Sequence, residues 1–227
     1  MGWATGQRRD SFAAGMRRGP VARYGAHSHV PTWRVANFPG GADSRNLGPP
    51  MPTEVTVQST LFESLVRYTK PDPKLRAAFL AAGYDMDKPR PAYPASVYLA
   101  CQDAAVRHRF PGRERRAALR EMGREQVRTY FDTLVGRVVG MALKMAGPER
   151  AMKRVGLSFS SVLSPVDIHV DRLAANDWRV RFRGYPFPAE AAAGTCEGAL
   201  LQAGATAPRV EVERFEGTEG FDLRIRW

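Results

Sequence analysis

Val166-Asp167-Ile168-His169-Val170-Asp171, followed after a short gap by Trp178-Arg179-Val180-Arg181-Phe182-Arg183, is the stretch that decides the fold. Apolar and charged residues alternate in both runs, the period of a strand with one dry and one wet face. A turn at Ala174 to Asp177 joins them, which predicts an antiparallel hairpin. Parity puts Asp167, His169 and Asp171 on the same face as Arg179, Arg181 and Arg183, so each carboxylate gains a basic cross-strand neighbour. Downstream, a helix from about Pro188 to Ala203, stopped by Gly204, separates this hairpin from a second one. There Val210 and Val212 match Phe221, Leu223, Ile225 and Trp227 across a turn at Glu216 to Gly220, while Glu211 and Glu213 face Arg224 and Arg226. Strand, strand, helix, strand, strand predicts a four-stranded antiparallel sheet with one apolar face under helices.

Upstream of Ser164 the period is helical. Leu61 to Tyr68 is a short amphipathic stretch, and Pro71-Asp72-Pro73 opens a second helix that stops at Gly83. A polar connector with Asp85, Asp87, Lys88, Pro89 and Pro91 leads to a helix from Ala95 to about Arg109, whose apolar stripe is Val97, Cys101, Ala104, Ala105 and His108. Phe110-Pro111-Gly112 breaks it. The helix from Arg113 gathers Leu119, Met122, Gly123, Val127, Tyr130, Phe131 and Leu134 on one side. From Leu134 to Ala146 only Arg137 and Lys144 are charged, and this stretch is too short for the ~20 residues that span a bilayer. It is therefore predicted to be a central, buried helix, with Gly136 and Gly140 allowing close packing of soluble helices. Gly147-Pro148 ends it, and Glu149 to Val155 forms a further short helix. The expected class is α+β: a helical layer at 59–155 and a sheet at 164–227 within a single domain, 51–227.

Residues 1–50 differ in kind. They hold seven Arg, eight Gly and five Pro with one Leu and no Ile, too little apolar surface to offset the entropy of ordering. They are expected to be a disordered basic extension, or to precede the natural start at Met51. Seven Arg against two Asp place five of the eleven formal positive charges there and six in the remainder. Arg8-Arg9 is not followed by the apolar run of an export signal. Cys101 and Cys196 are too few for a disulfide scaffold and are expected as buried free thiols in a cytoplasmic protein.

Asp167-x-His169-x-Asp171 is the sharpest candidate for metal or acid/base chemistry, since same-face residues on a strand lie about 6.6 Å apart. The arginines opposite oppose a cation, and the three are read as members of a solvated ladder; no metal site is assigned. His108, at a helix end between Arg107 and Arg109, is read as a partner of the helix dipole rather than a haem ligand. The serines at 158, 160, 161 and 164 sit in no G-x-S-x-G elbow, and no phosphate-cradling glycine loop exists. The sequence assigns no catalytic residue and no cofactor. Arg113, Arg116, Arg120, Arg124 and Arg128 crowd one helix and form an alternative, a basic nucleic-acid-binding adaptor, but interleaved glutamates favour a solvated helix face.

Leu61-Phe62-Glu63-Ser64-Leu65, Ala81-Ala82-Gly83-Tyr84-Asp85-Met86-Asp87, Ala92-Tyr93-Pro94, Phe110-Pro111-Gly112, Gly123-Arg124, Gly147-Pro148-Glu149-Arg150, Glu197-Gly198 and Arg226-Trp227 together carry a resemblance. From about Thr56 to Trp227 the chain resembles a family expanded as paralogues in myxobacteria, catalogued as domain of unknown function 2378. That family implies no activity and no catalytic residues. Where it carries a polar, asparagine-containing loop, this chain has Phe159-Ser160-Ser161-Val162-Leu163. The order of helices and strands also looks like that of haem-nitric-oxide-binding and vinyl-reductase-type sensor domains, an analogy of fold alone. The resulting expectation is a cytoplasmic, non-enzymatic module that binds a small apolar ligand or a protein partner between helices and sheet, with no membrane span. Its candidate lining is Tyr130, Met141, Met145, Trp178 and Phe182; an enzyme of unrecognised type is the remaining alternative.

Overall fold

Alternation after Ser164 produces the sheet it predicts. The computed structural model describes residues 54–215 and 220–227; the expectations for residues 1–50 and for the turn at Glu216 to Gly220 lie mostly outside them. In the C-terminal half, β4 (Asp167–Ala174), β5 (Asp177–Arg183), β6 (Arg209–Phe215) and β7 (Gly220–Arg226) form an antiparallel sheet in the order β4-β5-β7-β6, with helix α6 (Ala189–Gln202) between the hairpins. Asp167 pairs with Arg183, His169 with Arg181 and Asp171 with Arg179, the facing that parity demands. Trp178, Val180, Phe182, Phe221, Leu223 and Ile225 are buried on the dry face.

The N-terminal half comprises β1 (Thr56–Gln58), α1 (Ser59–Thr69), α2 (Pro73–Ala81), β2 (Ala92–Pro94), α3 (Ala95–Arg109), α4 (Arg115–Phe131), α5 (Leu134–Ser160) and β3 (Leu163–Ser164). Local chemistry sets the helix starts. The Asp72 carboxylate accepts from Leu75 N at 2.8 Å, that of Glu114 from Arg116 N and Ala117 N, and the Thr133 hydroxyl from Gly136 N at 2.9 Å. Gly83, at φ 98°, ends the turn after α2 as the sequence predicts.

Three findings depart from expectation. A second, small sheet in the order β2-β1-β3 ties the start of α1 to the start of α3 and the end of α5. Strands of two or three residues carry no measurable alternation, so the sequence does not announce them. The segment after Gly147 continues as helix to Ser160, beyond the expected Val155, and Gly147 itself takes the left-handed φ of 80° that lets the chain break direction before Pro148. Finally, Leu134 to Ala146 is not central and buried: Leu134, Val138, Val139, Met141 and Met145 are exposed. The reason is the glycine pair. Gly136 and Gly140 are the face turned to the protein, so close that a Cβ on Gly140 would lie 2.6 Å from Gln202 Nε2, and the large side chains point away.

Helices α4 and α6 cross even more closely. A Cβ on Gly194 would sit 1.9 Å from the Arg120 carbonyl oxygen, and one on Gly123 2.3 Å from that of Ala191. At this crossing the Arg120 guanidinium reaches Glu190 at 2.9 Å, Glu197 at 2.7 Å and the Val210 carbonyl, which ties α4 to α6 and to the sheet.

Candidate functional site

Where the helical half meets the connection from β5 to α6, aromatic packing leaves a cavity of about 140 Å³. Helix α3 supplies Tyr98 and, one turn on, Gln102; α4 supplies Gln126; the end of α5 and the segment after it supply Phe159, Val162 and Leu163. Tyr185 and Phe187 close it from the sheet side, with Ala191 and Thr195 of α6 as the floor. The small sheet matters here, because pairing of Val57 with both Tyr93 and Leu163 holds the end of α5 beside α1 and α3.

Two aromatic clusters join at this point. Phe62 stacks on Tyr84 at 4.5 Å and meets Tyr98 edge-on at 5.1 Å; Phe182, Phe221 and Phe159 surround Tyr185 on the sheet side. Phe187 links the two, 5.2 Å from Tyr98 and 5.4 Å from Tyr185, both edge-on.

The polar groups of the lining are few and neutral. Gln126 Nε2 donates to the Tyr98 hydroxyl at 3.3 Å, and the Thr195 hydroxyl is spent on the Ala191 carbonyl. Burial pushes the Tyr98 and Tyr185 phenols well above their ordinary pKa, so both stay protonated; for Tyr98 the Gln126 hydrogen bond only partly opposes that. Gln102 is 3% exposed, and its side-chain oxygen has no hydrogen-bond partner. A buried acceptor without a donor costs roughly 1–3 kcal/mol.

None of the five lining residues expected from the sequence is here. Trp178 and Phe182 belong to the dry face of β5, whereas Tyr130, Met141 and Met145 lie exposed on α4 and α5. Met141 and Met145 face outward because the first half of α5 turns its glycines to the protein. Gln102, Gln126, Tyr98, Tyr185 and Phe187 were missed. The signal for the glutamines was present: Gln102 follows Tyr98 by four residues, and Gln126 follows Met122 by four, each interrupting an apolar helical stripe with an amide.

The other candidates go elsewhere. Asp171 pairs with Arg181 of β5 at 2.8 Å, and His169 lies 3.1 Å from Asp167, all on the wet face of the sheet. Among the described residues no group of three His, Cys, Asp or Glu side chains is placed to hold a metal ion. His108 is exposed, 3.9 Å from Asp72, and does not line the cavity. Of the five candidate arginines, Arg113 pairs with Glu121, Arg120 with Glu190 and Glu197, Arg124 lies near Glu197 and Arg128 pairs with Glu125. Arg116 is exposed. Four neutralised cations of five make a poor track for a phosphate backbone. Cys101 and Cys196 are buried free thiols, each pushed up to about 12 by burial.

The same arrangement of helices and sheet occurs in solved structures. An H-NOX protein from S. oneidensis, in its Fe(II)NO ligation state, superposes with a TM-score of 0.55 at 14% identity over 74% of this chain and 98% of that one. An H-NOX protein studied for the function of heme distortion gives 0.54 at 13% identity over 75% and 94%. A protein studied for the modulation of heme redox potential by porphyrin distortion gives 0.51 at 14% over 75% and 99%. At this identity the likeness is one of fold. No curated protein matches the chain. The sequence matches the family described as Protein of unknown function (DUF2378) over residues 53–227, and the chain belongs to that family.

Proposed function

We propose that this protein is a non-enzymatic sensing module whose ligand is a compact, largely apolar molecule carrying one hydrogen-bond donor. The observation that carries this reading is Gln102, which lines an apolar cavity and whose buried side-chain oxygen has no hydrogen-bond partner. A cavity near 150 Å³ is the size that takes benzene, and the neutral phenols and amides around this one offer recognition rather than acid/base chemistry. The H-NOX fold supports a sensing role at the level of architecture.

Haem itself does not fit. A porphyrin is far larger than the benzene-sized space available. Neither described histidine lines the cavity. The proposed module keeps the scaffold with a smaller, metal-free cavity.

Thermal unfolding in the presence of phenol, benzene and indole tests the proposal. Bound ligand raises the midpoint by mass action. Phenol is expected to stabilise more than benzene at equal concentration, and Gln102→Leu is expected to cancel that preference while leaving the response to benzene. No shift with any small aromatic would refute the reading.

A further inference from the structure

Five of the ten exposed large hydrophobic residues among those described lie between Leu134 and Met145, all on the first half of α5. Leu134, Val138, Met141 and Met145 follow one another at spacings of four, three and four, which is a single stripe along the helix. They are 76%, 59%, 61% and 88% exposed. Gly136 and Gly140 fix this orientation from behind, since neither can leave the protein surface without opening the close contact with Tyr130, Phe131 and Gln202. Arg137 and Lys144, seven residues apart, lie exposed on one flank of the stripe. From Thr133 to Pro148 there is no acidic residue, and among the described residues neither cation has a carboxylate within ion-pair distance.

We propose that this face of α5 docks on an anionic lipid bilayer, lying flat in the headgroup region. An apolar stripe flanked by cations, with no anion to repel lipid phosphates, is the pattern of an interfacial helix. Each cation adds attraction to a negatively charged leaflet. No helix among the described residues is long and apolar enough to cross a membrane, so the contact is superficial. A second copy of the chain is a poorer occupant. At 1.5 Å per residue the stripe is roughly 17 Å long and about 10 Å wide, a small part of the ~800 Å² each partner of a stable dimer buries. A twofold contact would also bring two Arg137 and two Lys144 together with no acid between them.

The test is co-sedimentation of the full chain with vesicles of phosphatidylglycerol and phosphatidylcholine, and with phosphatidylcholine alone. Pelleting is expected with the mixed vesicles only and is expected to fall as salt is raised. Replacing both Arg137→Gln and Lys144→Gln should weaken it about thirty-fold, and Met141→Glu should weaken it at least as much. All three side chains are exposed, so melting temperatures should be unchanged, and the variants separate the contribution of α5 from that of the seven arginines before Met51. Equal pelleting of wild type and variants overturns the proposal. So does binding to polyglutamate without binding to anionic vesicles, which would indicate an acidic protein partner. A dimer in light scattering that Met141→Glu dissociates, with no vesicle binding, would likewise overturn it in favour of self-association.

Discussion

Asp177 begins β5, and its carboxylate is gripped by both ends of the Arg224 guanidinium from β7. That hydrogen bonding holds the carboxyl below its ordinary range. A carboxylate whose pKa is lower in the folded chain contributes stability that is fully present above the unfolded value, near 3.9, and is lost as pH falls through the folded one. Asp177→Asn is therefore expected to be less stable than wild type at neutral pH, and the gap should close as pH drops below about 4. Urea midpoints measured along that pH series check it; a gap that persists in acid would mean the pair is not the cause. At this scale the sequence was readable in part. Strand parity foresaw the charge ladders, yet Arg224 turns to Asp177, a residue the sequence places in the turn, and Asp171 takes the diagonal Arg181 rather than its direct neighbour Arg179, because a long guanidinium reaches across the pleat.

Among the elements, the crossing of α4 and α6 depends on having no Cβ at Gly194. Gly194→Ala should cost about 1–3 kcal/mol through overpacking against the Arg120 carbonyl, read as a lower urea midpoint with an unchanged m-value. An unaffected midpoint would show that the helices can part without penalty. Helix contacts of this kind explain where the sequence misled. The apolar run from Leu134 to Ala146 correctly predicts a helix but not which side faces in. Composition registers hydrophobicity, whereas burial was decided by which face could approach a neighbouring backbone, and that face was glycine. The small sheet was illegible for another reason: β1, β2 and β3 exist only because the chain returns to Val57 from Tyr93 and from Leu163, a long-range fact absent from any local window.

For the whole molecule, the alternation after Ser164 and the helical stripes before it were enough to foresee an α+β chain with helices over a sheet. The cavity was not foreseeable. It is a property of the joint between two aromatic clusters contributed by α1, α3, α5 and the β5–α6 connection, and no sequence period marks a void. Phe187 is the ring shared by both sides. Phe187→Ala should destabilise the fold by about 3–5 kcal/mol, the range for emptying a buried aromatic, and should enlarge the space so that indole stabilises the variant more than it does the wild type. Calorimetry with and without indole measures both effects, and a variant with wild-type stability would show that the clusters do not rely on that ring.

One helix serves two neighbourhoods. The segment of α5 before Gly147 carries the outward stripe, and the segment after it delivers Phe159 to the cavity wall. The backbone bends at Gly147 between them, so the proposed guest at Phe159 and the proposed attachment at Met145 would act on opposite sides of one bend. Thermodynamic reciprocity then requires that any guest which tightens the outer attachment be itself held more tightly by the attached protein.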